Sequence, residues 1–164
     1  MVHVDLEQFA STGVLGPFDH RSSRDQIVNL LGLPDQNRNP KFLTYGNLAF
    51  ELKDGVFPPC RIQIAFPHSS HSKTIDSKWK LWHAINLDNW PDQRLKWEFG
   101  HFHAGFGIDE IVTHADFLES DMDFDDVRIF YNRRSGVDLF FEFDEYRKSL
   151  TLSEMIAHPA KNAG

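Results

Sequence analysis

Val127-Arg128-Ile129-Phe130-Tyr131-Asn132-Arg133-Arg134-Ser135-Gly136-Val137-Asp138-Leu139-Phe140-Phe141-Glu142-Phe143 is the stretch that decides the fold. Val127, Ile129 and Tyr131 fall on every second position, and after a gap Val137, Leu139, Phe141 and Phe143 do so again. The gap, Asn132 to Gly136, has turn chemistry. Two period-two runs joined by such a turn predict an antiparallel hairpin. The same pattern occurs earlier in the chain. Beyond Pro40, Leu48, Phe50 and Leu52 alternate with Ala49 and Glu51, Lys53-Asp54-Gly55 turns the chain, and Ile62, Ile64 and Phe66 alternate with Arg61, Gln63 and Ala65. Residues 41 to 66 therefore read as two or three antiparallel strands with one buried face.

Helical spacing flanks these strands. Leu6, Phe9 and Ala10 follow Asp5 and precede Gly13, which predicts a short first helix. Ser22 with Asp25 has the spacing of a capping box, and the stripe Ile27, Val28, Leu30 and Leu31 closes at Gly32 and Pro34, giving a second helix over about 23 to 31. Further on, Ile108, Ile111, Val112, Ala115 and Leu118 keep helical spacing. Thr151 with Glu154 offers a cap for a closing helix of about two turns. Gln93 to Phe99 alternates like a strand through Leu95, Trp97 and Phe99.

Residues 67 to 78 have loop composition and separate a helix-helix-sheet unit, 1–68, from a second α+β unit, 79–164. Asp25-Gln26-Ile27-Val28 has a counterpart in Asp109-Glu110-Ile111-Val112, and Leu48-Ala49-Phe50-Glu51-Leu52 in Leu139-Phe140-Phe141-Glu142-Phe143. A weak tandem repeat is one reading; the necessary likeness of any amphipathic helix or strand to another is the alternative. Both give the same fold class, α+β, with helices packed on one face of an antiparallel sheet.

The 164 residues carry 17 Lys and Arg against 24 Asp and Glu, a formal charge of −7. That size suits a single domain, and an acidic balance excludes nucleic acid as the main partner, because a phosphate backbone needs a basic footprint. No apolar run approaches the roughly 18 residues of a membrane span, and Met1-Val2-His3-Val4-Asp5 lacks the features of an export signal. With Cys60 as its one cysteine, the chain is expected in a reducing cytoplasm. There is no Gly-rich phosphate loop, nucleophile elbow or His-Glu-x-x-His helix. Hydrolase and nucleotide-binding classes thus lose their usual support.

Leu31-Gly32-Leu33-Pro34, a polar spacer, Tyr45-Gly46-Asn47-Leu48-Ala49-Phe50 and a return strand ending near Phe66-Pro67 together resemble a group of small bacterial proteins, some of them immunity proteins of toxin systems. The resemblance covers about residues 22 to 67. The tandem helix-then-sheet layout is also similar to that of the β-lactamase inhibitory protein. Both likenesses imply a non-catalytic binder.

The sharpest chemical feature is acidic. Asp109, Glu110, Asp116, Glu119, Asp121, Asp123, Asp125 and Asp126 occupy 18 residues without one Lys or Arg, leaving 16 acidic residues against 17 basic ones elsewhere. Such a block creates a negative potential that speeds encounter with a cationic partner; a solvated face is the bland alternative. Asp121-x-Asp123-x-Asp125 opens like a calcium loop, but Asp126 stands where glycine is needed and Asn132 where a bidentate glutamate belongs. His101-Phe102-His103, read as a strand, puts two imidazoles on one face, with His68, His71, His83 or Glu110 as further ligands, the pattern of a small metal-dependent enzyme. That ligand set is incomplete, so no metal and no cofactor is expected. Trp79, Trp82 and Trp97 read as core; Trp90, between Asp88, Asn89, Pro91 and Asp92, reads as an exposed interface anchor. Cys60 has no His nearby in sequence to activate it. The function expected is that of an immunity-type inhibitor, not an enzyme. It would neutralise a cognate toxin with a basic surface through the acidic block and Trp90, with an accessory interaction domain as the further alternative.

Overall fold

A computed structural model describes residues 1–35, 39–72, 87, 90–111, 114, 116–121 and 127–159. Seven strands form one antiparallel sheet: β2 (Phe42–Tyr45), β3 (Leu48–Lys53), β4 (Phe57–Ala65), β6 (Leu118–Glu119), β7 (Val127–Asn132), β8 (Val137–Asp144) and β9 (Ser149–Ala157), in the order β2-β3-β4-β9-β8-β7-β6. Two meanders meet at β4 and β9, where Ile64 lies opposite Met155 and Ile62 opposite Ala157. A separate ribbon pairs β1 (Val2–Asp5) in parallel with β5 (Leu95–Glu98). The chain is α+β, with an antiparallel sheet, three short α-helices, α1 (Leu6–Thr12), α2 (Arg24–Leu31) and α3 (Ile108–Ile111), and a 3-10 turn at Ser69–Ser72 among the described residues. No helix among them is long and apolar enough to cross a membrane.

Pairing explains the core. Leu48, Ile64, Met155 and Leu139 lie opposite one another across four strands, as do Phe50, Ile62, Ala157 and Val137. One face therefore presents two continuous apolar rows, which join Leu6, Phe9 and Ala10 of α1, Ile27 and Leu31 of α2 and Ile111 of α3 in a single cluster. The hairpins follow from their turns. Asp54 and Gly55 both have positive φ, 55° and 74°, as a type I′ turn requires. A Cβ on Gly55 would come within 2.0 Å of the Pro40 carbonyl oxygen, so glycine is obligatory there.

Several local expectations change. The capping box of α2 is formed by Ser23 and Gln26, not Ser22 and Asp25; the Ser22 hydroxyl instead accepts the Asp19 N–H at 3.0 Å. The helix from Ile108 is described over Ile108–Ile111, Val112 and Ala115 lie outside the described residues, and Leu118 belongs not to that helix but to β6, with half its surface exposed. No closing helix begins at Thr151. That segment is β9, and a bulge explains the misreading: Phe140 faces Glu154 and Phe141 faces Leu152, so Ser153 is an extra residue. The bulge changes the spacing of core residues from Leu152 to Met155 to three, which imitates a helix. Phe143 is 45 % exposed, beyond the end of the apolar row. The sheet's second face is also partly covered, since Ala49, Gln63, Ala65 and Ile156 are buried. Strand β1, too short to show a period, was not legible in the sequence. Trp79 and Trp82 lie outside the described residues.

Candidate functional site

The acidic segment sits at one end of the sheet, on α3 and the edge strand β6. Asp109, Glu110, Asp116, Glu119 and Asp121 are all exposed; Asp123, Asp125 and Asp126 lie outside the described residues. The segment is not wholly without a counter-charge, because β7 pairs with β6 and carries Arg128 across to Glu119. The guanidinium grips the carboxylate with two hydrogen bonds, Nε to Oε1 at 2.6 Å and Nη2 to Oε2 at 2.7 Å. These bonds hold the Glu119 carboxyl below the usual carboxylate range. Asp109 also lies close enough for its charge to act on Arg128. Glu110 is committed locally, accepting the Gly107 N–H at 2.8 Å ahead of α3. The fold thus gathers Asp109 and Glu119 around one arginine and leaves Asp116 and Asp121 facing solvent.

Trp90 is not the exposed anchor its sequence context predicts. It is half-buried against the core, stacked on Phe99 with ring centres 5.0 Å apart and 6.4 Å from Phe66. Of its polar neighbours, Asp92 is used internally, while Asp88 and Asn89 lie outside the described residues. The Asp92 N–H donates to Asn47 Oδ1 at 3.0 Å, and the Asp92 carboxylate accepts Arg94 Nε at 2.8 Å and Nη2 at 2.7 Å.

That arrangement belongs to a polar knot which the sequence did not reveal. Arg94 also donates to Asp35 at 2.9 Å and lies over the Tyr45 ring, 4.9 Å from its centre. Asp35 accepts the Gly46 N–H at 2.7 Å, and Tyr45 donates its hydroxyl to the Gly32 carbonyl at 2.8 Å. A Cβ on Gly46 would meet Asp92 Oδ2 at 2.6 Å, so this turn is glycine because the carboxylate packs on it. Hydrogen bonds from Arg94 hold the Asp92 carboxyl below its ordinary range against the opposing effect of burial. The one sequence signal was Gly46 in a hairpin turn.

The expected histidine pair does not form, although the rings of His101 and His114 meet edge to face with centres 5.6 Å apart. Residues 101–103 form no strand, since β5 ends at Glu98 and the chain turns there. His101 donates its backbone N–H to Glu7 Oε1 at 2.7 Å and sets its Nδ1 against the same oxygen, whereas His103 Nδ1 faces the Ala104 carbonyl at 2.9 Å. The two rings therefore do not share a face. His68 is buried elsewhere: its Nδ1 accepts the Ser70 N–H at 3.0 Å and its Nε2 faces the Glu142 carbonyl, also at 3.0 Å. With Nδ1 accepting, Nε2 is the nitrogen left to donate to the Glu142 carbonyl. The His71 side chain and His83 lie outside the described residues. Among the described residues, no three or more His, Cys, Asp or Glu side chains are grouped to hold a metal ion.

Cys60 is buried, and burial, with the nearby charges of Asp19 and Glu51, pushes its thiol up to about 12. A thiol so placed is protonated at neutral pH and is a poor nucleophile. No family model, curated protein or solved structure matches the chain.

Proposed function

We propose that this chain is a non-catalytic inhibitor of the immunity type, which neutralises a toxin in the cytoplasm by covering a basic surface. The observation that carries the reading is the exposure of Asp109, Asp116 and Asp121 on and beside α3 and β6. Exposed carboxylates grouped in this way present a negative field, which favours encounter with a cationic partner and rejects acidic ones. Exposed Leu118, between them, adds an apolar contact of the kind that slows dissociation. The partial likeness of residues 22 to 67 to immunity proteins supports the same reading.

The test is binding to the product of the adjacent reading frame, followed by surface plasmon resonance. A complex whose association slows as salt rises, and slows further in an Asp109→Asn/Asp116→Asn/Asp121→Asn variant, is the expected result. Absence of a complex, or one indifferent to salt and to the three substitutions, rules the reading out.

A further inference from the structure

Strand β5 has one partner strand. It pairs in parallel with β1, from Val2 opposite Leu95 to Asp5 opposite Glu98, and among the described residues no strand pairs with its other edge. A two-stranded ribbon is marginal by itself, and an open strand edge is a template for another strand. The side chains of β5 divide cleanly. Leu95 is buried and Trp97 half-buried, while Lys96 and Glu98 are exposed on the opposite face. Trp97 pins the strand from behind, donating its indole N–H to the Asp92 carbonyl at 2.9 Å and stacking on Phe99 with ring centres 5.8 Å apart.

The exposed charges are self-complementary. When β5 is laid antiparallel on a second copy of itself about Trp97, Lys96 falls opposite Glu98 of the second copy, and symmetry repeats the pair. Sliding the register by two residues either way sets lysine against lysine or glutamate against glutamate. Parallel pairing in register does the same. A lone lysine or glutamate on an edge strand normally repels added strands; here the two charges select one arrangement. We propose that β5 is a self-association edge through which two copies of this chain build a four-stranded β1-β5-β5-β1 sheet. This surface is separate from the acidic end at β6.

Sedimentation equilibrium over a dilution series tests it, with circular dichroism as the check on folding. The wild-type chain is expected to pass reversibly from a dimer to the 19.0 kDa monomer on dilution. Lys96→Glu and Glu98→Lys each place two like-charge pairs in that dimer, and each should weaken it by about tenfold or more. The double variant Lys96→Glu/Glu98→Lys exchanges the charges and should restore the dimer. Recovery of that kind cannot come from damage to the fold, since both side chains are exposed. A wild-type chain that stays monomeric overturns the proposal. So does a dimer that neither single reversal weakens, or a double variant as weak as the singles.

Discussion

Asp92 shows how a single residue acquires a role from partners far away in sequence. Its hydrogen bonds reach Asn47 and Arg94, and Arg94 continues to Asp35, 59 residues distant. Because the folded carboxyl titrates below its unfolded range, its contribution to stability is present above about pH 4 and is lost as pH falls through the folded value. The expected outcome is a chain whose urea midpoint drops as pH falls below about 4, the unfolded value, with a shallower drop in Asp92→Asn. At neutral pH, Asp92→Ala should cost about 1 to 3 kcal/mol, the worth of hydrogen bonds to a charged group, reduced because a third of the Arg94 side chain is in water. Burial separates two phenylalanines that both belong to apolar alternating runs. Phe50→Ala should cost about 3 to 5 kcal/mol and Phe143→Ala far less, since Phe50 is 0 % and Phe143 45 % exposed. Equal midpoints for the two variants in urea would contradict that placement. The alternation Leu139, Phe141, Phe143 was legible from sequence, but the point at which the core ends was not.

At the scale of elements, what was legible depended on whether periodicity was interrupted. The β3–β4 and β7–β8 hairpins could be read because alternation on both sides flanks a turn whose residues suit it, although β3–β4 has a register shift between Glu51 and Lys53, and in β7 the residue that joins Leu139 in the core is Phe130, not Val127, Ile129 or Tyr131. Strand β9 could not, because one bulged residue makes its core positions mimic a helix. Helix α3 was overextended because apolar spacing says nothing of solvent, and Leu118, its expected last residue, is half exposed. Helix α2 was placed correctly but its cap fell one residue off. Ser22 and Ser23 are equally good cap residues in sequence, and which one serves depends on Asp19, whose N–H engages Ser22. Ser23→Ala should therefore destabilise the chain by about 1 kcal/mol, whereas Asp25→Ala, which removes no capping bond, should have a smaller effect in the same thermal melt.

For the whole molecule, the decisive fact is that one sheet runs through both halves of the chain, joined where β4 meets β9. A boundary sought in the loop composition of 67 to 78 is crossed by four paired residues of that ladder, from Ile62 opposite Ala157 to Ala65 opposite Glu154. Sequence exposes a change of composition but not a pairing between strands some 90 residues apart, since register depends on both strands at once. The charge distribution, by contrast, was legible, because it is a property of composition. It leads to an expectation that separates a binding role from a scaffold role. Carboxylates gathered for a partner repel one another in the free protein, so removing charge from Asp109, Asp116 and Asp121 should leave the unfolding midpoint unchanged or raise it slightly. Glu119 is the internal control, because its two bonds to Arg128 are structural. Glu119→Gln should lower the midpoint slightly, as the loss of a solvent-exposed ion pair does, while the triple Asn variant does not. Adding salt should narrow the difference between wild type and the triple variant, because shortening the Debye length from about 30 Å at 0.01 M to about 8 Å at 0.15 M screens repulsion among the exposed carboxylates. If the triple variant instead unfolds earlier at every salt concentration, those three side chains hold the α3–β6 end together, and the surface that meets a partner lies elsewhere.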